Sequence, residues 1–80
     1  MHYVYRIESL KYPARQYTGY SADLRLRLQH HNAGQCQYTA PFRPWRVVFY
    51  AAFATEAKAR DFENYLKSGS GIAFGKKRLW

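Results

Sequence analysis

Arg27 and His31 stand four residues apart in a stretch whose apolar residues recur at helical spacing. At about 100° per residue, Leu24, Arg27, Leu28 and His31 share one stripe. Side chains at that spacing have Cβ atoms roughly 5 to 6 Å apart. A permanent cation and an imidazole that titrates near neutrality therefore form a ready pair on a face whose leucines point inward. Taken singly, Arg27 reads as an aliphatic stem with its head in solvent, and His31 as a satisfied half-buried side chain.

A second helical stretch repeats the anomaly with the opposite charge. Ala59, Phe62, Glu63 and Leu66 share a stripe, while Lys58, Arg60 and Asp61 lie off it. An ionised carboxylate on a core-facing side costs several kcal/mol unless a cation accompanies it. Two partners fit: Arg27, in an ion pair tying the helices together, or a metal ion, which would require Glu63 to be free of Arg27.

The elements that must position these groups follow from periodicity. His2 to Ile7 alternates, with Tyr3, Tyr5 and Ile7 on one side and His2, Val4 and Arg6 on the other, as in a half-buried strand. A basic hairpin loop over Glu8 to Arg15 leads to a short second strand around Gln16 to Gly19, paired antiparallel with the first. Ser21 is the expected N-cap of a helix from Ala22 to about Asn32, and Gly34 suits the left-handed position beyond it. Gln35 to Trp45, with Pro41 and Pro44, reads as a long loop. Arg46 to Phe53 is β-branched, aromatic and almost continuously apolar, which predicts a central strand covered on both faces. Thr55 caps a second helix running to Lys67, Ser68 to Gly71 is a breaker, and Ile72 to Trp80 is a short amphipathic helix or tail. The order is β-β-α-β-α plus that tail, an α+β class, in one domain spanning 1–80.

Composition bounds the function. Thirteen Lys and Arg against five acids give a net charge of +8, a field that favours a polyanionic partner. The longest uncharged apolar stretch, Val47 to Ala54, falls well short of the roughly 20 residues that span a bilayer, so no membrane association and a cytoplasmic location are expected. Cys36 is the only cysteine, which excludes an internal disulfide and a Cys-based zinc cluster.

Tyr3-Val4-Tyr5, then Tyr17-Thr18-Gly19, then Ser21, Asp23-Leu24, Arg27, His31-Asn32 and Gly34, followed by Ala57 through Glu63 to Lys67, resembles the GIY-YIG nuclease family. The resemblance runs from Tyr3 to about Leu79 and is closest to small stand-alone bacterial members. Either three-letter motif alone is weak; the ordered set is specific. It implies a three-stranded antiparallel sheet flanked by helices and a metal-dependent endonuclease acting on DNA, structure-directed or weakly sequence-specific, with RNA as the second polymer to consider. It also implies Glu63 as the sole protein ligand of one Mg²⁺ or Mn²⁺, Tyr5 as general base with His31 relaying the proton, Arg27 on the scissile phosphate, and Tyr17 bonded to the phosphate or the attacking water. Gly19 would let the backbone pass close to the first helix, or serve as a simple turn glycine.

The chain departs from the family pattern in three places: Tyr3 stands for Gly, Tyr20 stands where some relatives carry Lys, and no Asn follows Glu63 by about a dozen residues. The last leaves a hydrogen bond near the metal unassigned and keeps open a non-catalytic nucleic-acid-binding module. Candidate backbone contacts are Arg6, Lys11, Arg15, Arg25, Arg43, Arg46, Lys67, Lys76, Lys77 and Arg78, interleaved with Tyr12, Tyr20, Phe42 and Trp45 for stacking on unpaired bases. A monomer or weak dimer is expected, and an acidic protein partner for the basic loop stays open as a third reading.

Overall fold

A computed structural model describes residues 1–80. The alternating first segment forms β1 (His2–Ser9), followed by β2 (Gln16–Ser21), α1 (Leu24–Asn32), a 3₁₀ turn (Ala40–Phe42), β3 (Trp45–Phe53), α2 (Glu56–Lys67) and α3 (Gly69–Arg78). The three strands make one antiparallel sheet in the order β2-β1-β3. No helix is long and apolar enough to cross a membrane.

The expected central strand is at the edge. β1, not β3, lies in the middle, and its Val4, Tyr5, Ile7 and Ser9 are buried. Both faces of the sheet are covered. On one, Tyr5, Ile7 and Trp45 pack with Tyr17, Leu24, Leu28, Phe42 and Val47 beneath α1 and the 3₁₀ turn. On the other, Val4, Ala59 and Leu66 pack with Tyr20, Phe49, Phe53, Phe62, Leu79 and Trp80, beneath α2 and the two residues that follow α3. β3 carries a register shift opposite Arg6 and Ile7 and leaves Tyr50 exposed, as edge strands with bulges do.

Helix starts differ from expectation by small, explicable amounts. Ser21 does not cap α1: it ends β2, opposite Tyr3, and its hydroxyl donates to the Asp23 carbonyl at 2.9 Å. Asp23 is the cap, its carboxylate accepting the Leu26 N–H at 3.0 Å. Thr55 caps α2 as expected, accepting the Lys58 N–H at 3.3 Å. Only Ser68 breaks the chain between α2 and α3: it terminates one helix and its Oγ accepts the Gly71 N–H of the next at 3.2 Å. Gly69 and Gly71, which suggested a longer breaker, are both helical; at Gly71 the helices turn so tightly that a Cβ would overlap the Tyr65 carbonyl, whereas Gly69 faces open space. Gly34 takes φ +77°, the left-handed position that closes α1.

Candidate active site

β2 is an edge strand, so the sheet ends there and side chains from its two faces can approach one another. Tyr17 and Gly19 share the α1 face with Tyr5 and Ile7, and Gly19 pairs directly with Tyr5. A Cβ at Gly19 would stand 2.5 Å from the Tyr5 hydroxyl and 2.9 Å from Cε2 of Tyr17. Gly19 thus lies within a strand and is not a turn glycine. It is the notch into which the phenol of Tyr5 leans.

That phenol meets α1. The Tyr5 Oη lies 2.8 Å from Nε2 of His31, and Nδ1 of His31 lies 2.7 Å from Oγ1 of Thr39; all three residues are buried. The loop bearing Thr39 is pinned in turn, because its carbonyl accepts Nε1–H of buried Trp45 at 2.9 Å. Asn32, next to His31, clamps the Trp45 backbone by accepting its N–H at 2.6 Å and donating to its carbonyl at 3.2 Å. Burial pushes the Tyr5 phenol above its ordinary range, and Tyr17 adds to this while Arg27 opposes it. Burial also holds His31 below its ordinary value, with Arg27 and His30 contributing. Both groups are therefore neutral at neutral pH, and which of them donates across their bond depends on the tautomer of His31.

The remaining candidates surround this pair. Tyr17 sits with its ring centroid 5.4 Å from that of His31 and 6.4 Å from that of Tyr5. Arg27 is exposed and engages no carboxylate, yet its charge bears on both Tyr5 and His31. Glu63 lies on α2, on the other side of the sheet, and its charge bears on Tyr5; Lys67, whose ammonium lies 5.9 Å from the Tyr17 ring, holds its Oε2 at 3.1 Å. The ion pair between Arg27 and Glu63 does not form. Helical geometry supplies closer cations, Lys67 four residues on and Arg60 three residues back at 3.7 Å.

Mg²⁺ binds one or two carboxylates and keeps waters and phosphate oxygens as its other ligands. No cluster of three or more His, Cys, Asp and Glu exists here, and Glu63 is the one carboxylate whose charge bears on Tyr5. Glu63 fits that demand: its side chain is 12% exposed, whereas Lys67 and Arg60 are 49% and 51% exposed and free to turn aside.

The family model of the GIY-YIG catalytic domain matches residues 1–75. The chain belongs to the GIY-YIG family. A UPF0213 protein of Haloquadratum walsbyi is 37% identical over 68 residues, 84% of this chain and 74% of that protein. The UPF0213 protein YazA of Bacillus subtilis is 38% identical over 52 residues, 64% of this chain and 52% of its own length. A UPF0213 protein of Staphylococcus aureus is 36% identical over 53 residues, 65% of each chain. The chain thus spans little more than half the length of some of these relatives. The GIY-YIG family is nuclease-type.

The cations of the GIY-YIG domain divide into committed and free. Arg6 donates to Gln16 Oε1 at 2.7 Å and Thr18 Oγ1 at 2.9 Å and covers the Trp80 ring at 4.1 Å. Arg46 binds Glu8 at 2.9 Å, Arg43 donates to the Ala40 carbonyl at 2.8 Å, and Arg15 stacks on Phe42 at 4.7 Å. Lys11 and Arg25 are exposed, as are Lys76, Lys77 and Arg78 in the last turn of α3, where the helix dipole favours cations. Of the expected stacking residues, Trp45 is buried and Tyr20 is held between His2 and Arg60. Tyr12 is exposed but packs edge-on against the half-buried Phe42.

Two functional candidates escaped sequence reasoning. Thr39 is one; a threonine in an aperiodic loop gives no signal. Tyr38 is the other, 75% exposed with its ring centroid 6.1 Å from that of Tyr17. It lines a groove of about 540 Å³ with Arg6, Gln16, Tyr17, Thr18 and Lys67. The largest concavity, about 630 Å³ between α1 and β3, touches none of the five clustered residues.

Proposed function

We propose that the chain is a metal-dependent endonuclease hydrolysing phosphodiester bonds of DNA with structural or weak sequence preference. The observation that carries this reading is the buried Tyr5 to His31 hydrogen bond, packed against Tyr17, which lines a groove bearing cations, with the charges of Arg27 and Glu63 bearing on Tyr5.

A phosphodiester needs an activated water and neutralisation of charge on the phosphate and the leaving 3′ oxygen. Tyr5 Oη accepts the water's proton while its own proton passes to His31 Nε2, so no free phenolate need accumulate in a site that disfavours one. The unpaired Arg27 guanidinium is the permanent charge for the phosphate. Tyr17, at the rim, donates to a phosphate oxygen or orients the water. Glu63 would be the protein ligand of one Mg²⁺ or Mn²⁺, which when bound supplies Lewis-acid stabilisation of the leaving oxygen.

The test is cleavage of end-labelled branched, single-stranded and duplex DNA with Mg²⁺ or Mn²⁺, against Tyr5→Phe and Glu63→Gln of retained fold. Metal-dependent cutting lost in both variants supports the mechanism, and cutting that survives both refutes it. The hold of Lys67 and Arg60 on Glu63 favours one second reading, a binding module without turnover. That module would show salt-sensitive DNA binding indifferent to Glu63→Gln and no cleavage on any substrate.

A further inference from the structure

We infer that Thr39 is a positioning residue whose hydroxyl fixes His31 in the tautomer with its proton on Nδ1, leaving Nε2 open to the proton of Tyr5. Its catalytic meaning rests on the nuclease reading above; the tautomer itself does not.

The argument is a donor and acceptor count. A neutral imidazole carries one N–H and one acceptor nitrogen, and each hydroxyl has one proton to give. In one polarity the Tyr5 O–H donates to Nε2 at 2.8 Å, Nδ1–H donates to Thr39 Oγ1 at 2.7 Å, and the Thr39 hydroxyl donates to the Cys36 carbonyl at 3.4 Å. Every buried proton then has an acceptor. In the reverse polarity Nε2–H donates to Tyr5, and the phenol proton, in a residue only 2% exposed, has no acceptor on the protein. Buried donors without partners are rare because each forfeits its solvation. The first polarity is therefore the one the site selects, and it is the one in which His31 can take a proton from Tyr5.

Two features set Thr39 apart from a generic loop threonine. It stands at the N-cap of the 3₁₀ turn Ala40–Phe42, where a threonine hydroxyl ordinarily caps the turn, yet it makes no such bond and turns to His31 instead. It is also 1% exposed and held from behind, its N–H on the Cys36 carbonyl at 3.1 Å and its carbonyl on Trp45. The oxygen is held in place while its proton can turn, so the imidazole nitrogen must come to the oxygen.

Long-range ¹H–¹⁵N correlation spectra of the side chain of His31, in wild type, Thr39→Ser and Thr39→Val, test the inference without reference to activity. A proton on Nδ1 in wild type and Thr39→Ser, with the population moving to Nε2 in Thr39→Val, is the expected result. A wild-type proton on Nε2, or an unchanged tautomer in Thr39→Val, overturns it. Should Thr39→Val not fold, the wild-type spectrum decides alone. With a cleavable substrate, Thr39→Val lowers kcat about 10-fold or more with KM little changed, because an imidazole in the wrong tautomer cannot accept the proton, and Thr39→Ser restores it. The expected spectra combined with no cleavage by any variant, wild type included, uphold the role of Thr39 and reject the nuclease reading.

Discussion

Gly19 faces Tyr5 across the β1–β2 ladder, and the missing side chain of one admits the phenol of the other. A methyl group there would press on the Tyr5 hydroxyl at 2.5 Å and the Tyr17 ring at 2.9 Å. Overpacking of this kind costs about 1–3 kcal/mol. Gly19→Ala is therefore expected to lower Tm modestly and to break the hydrogen bond between Tyr5 and His31. Its turnover should fall far more than its DNA affinity. Wild-type turnover in a folded Gly19→Ala protein would remove the notch from the account.

Tyr5→Phe keeps the ring and deletes the oxygen. The buried Nε2 of His31 then loses its partner, a loss of about 1–3 kcal/mol in denaturant unfolding. Cleavage should drop by about 10² to 10⁴, the usual contribution of a positioned proton acceptor, with binding retained. A variant that binds normally and cuts within a few-fold of wild type would place the base elsewhere.

Much of the fold was legible because periodicity reports burial, and the misplaced parts show where that link fails. Val47, Val48, Phe49, Ala51 and Ala52 looked like a strand covered twice, while β1 with His2, Arg6 and three hydroxyl-bearing residues looked half-wet. In the fold β1 is central because its polar atoms are satisfied internally: Tyr5 by His31, Arg6 by Gln16 and Thr18, Ser9 by the Phe42 carbonyl. Hydropathy cannot see such partners. The same blindness offered Arg27 as one partner for Glu63 across the core, when Arg60 and Lys67 on its own helix were nearer. Helical phase did find His31 facing inward, and it could not find Thr39, whose role depends wholly on where an aperiodic loop comes to rest.

The directions of the Tyr5 and His31 shifts set a pH window for stability. His31 titrates below its ordinary 6.5 in the folded chain, so unfolding takes up protons in that range. The stability this linkage provides is complete above 6.5 and is lost as pH falls through the depressed value. Tyr5 titrates above its ordinary 10.0, so its contribution is complete below that value and is lost as pH rises beyond it. Tm against pH should fall on both sides, and His31→Gln should flatten the acid limb. Arg27→Gln should move both groups upward in an NMR titration, since Arg27 repels the imidazolium and attracts the phenolate.

Glu63 can be tested as a metal ligand without turnover. Lys67 and Arg60 compete for it, but exposed ion pairs of this kind are worth only about 0.2–1 kcal/mol. Lys67→Gln should accordingly tighten Mn²⁺ binding by about 2- to 5-fold in water-proton relaxation measurements. Glu63→Gln should abolish the specific component. Equal Mn²⁺ binding by wild type and Glu63→Gln would exclude the carboxylate as ligand.

Tyr38 separates single-stranded from duplex recognition. Its ring is exposed beside Tyr17 at the groove that Arg6 and Lys67 line, whereas Trp45 is buried and Tyr20 is sandwiched. Stacking of an unpaired base on such a ring is worth about 1–3 kcal/mol. Paired bases are already stacked and have no face to offer. Tyr38→Ala should therefore weaken binding of a single strand by about 5-fold or more in fluorescence anisotropy, and that of a blunt duplex by under 2-fold. Tyr38→Phe should bind like wild type, because the platform is the ring and not the hydroxyl. An equal loss on both substrates in Tyr38→Ala would mean that the side chain only shapes the groove, and the preference for unpaired DNA would have to come from the cations instead.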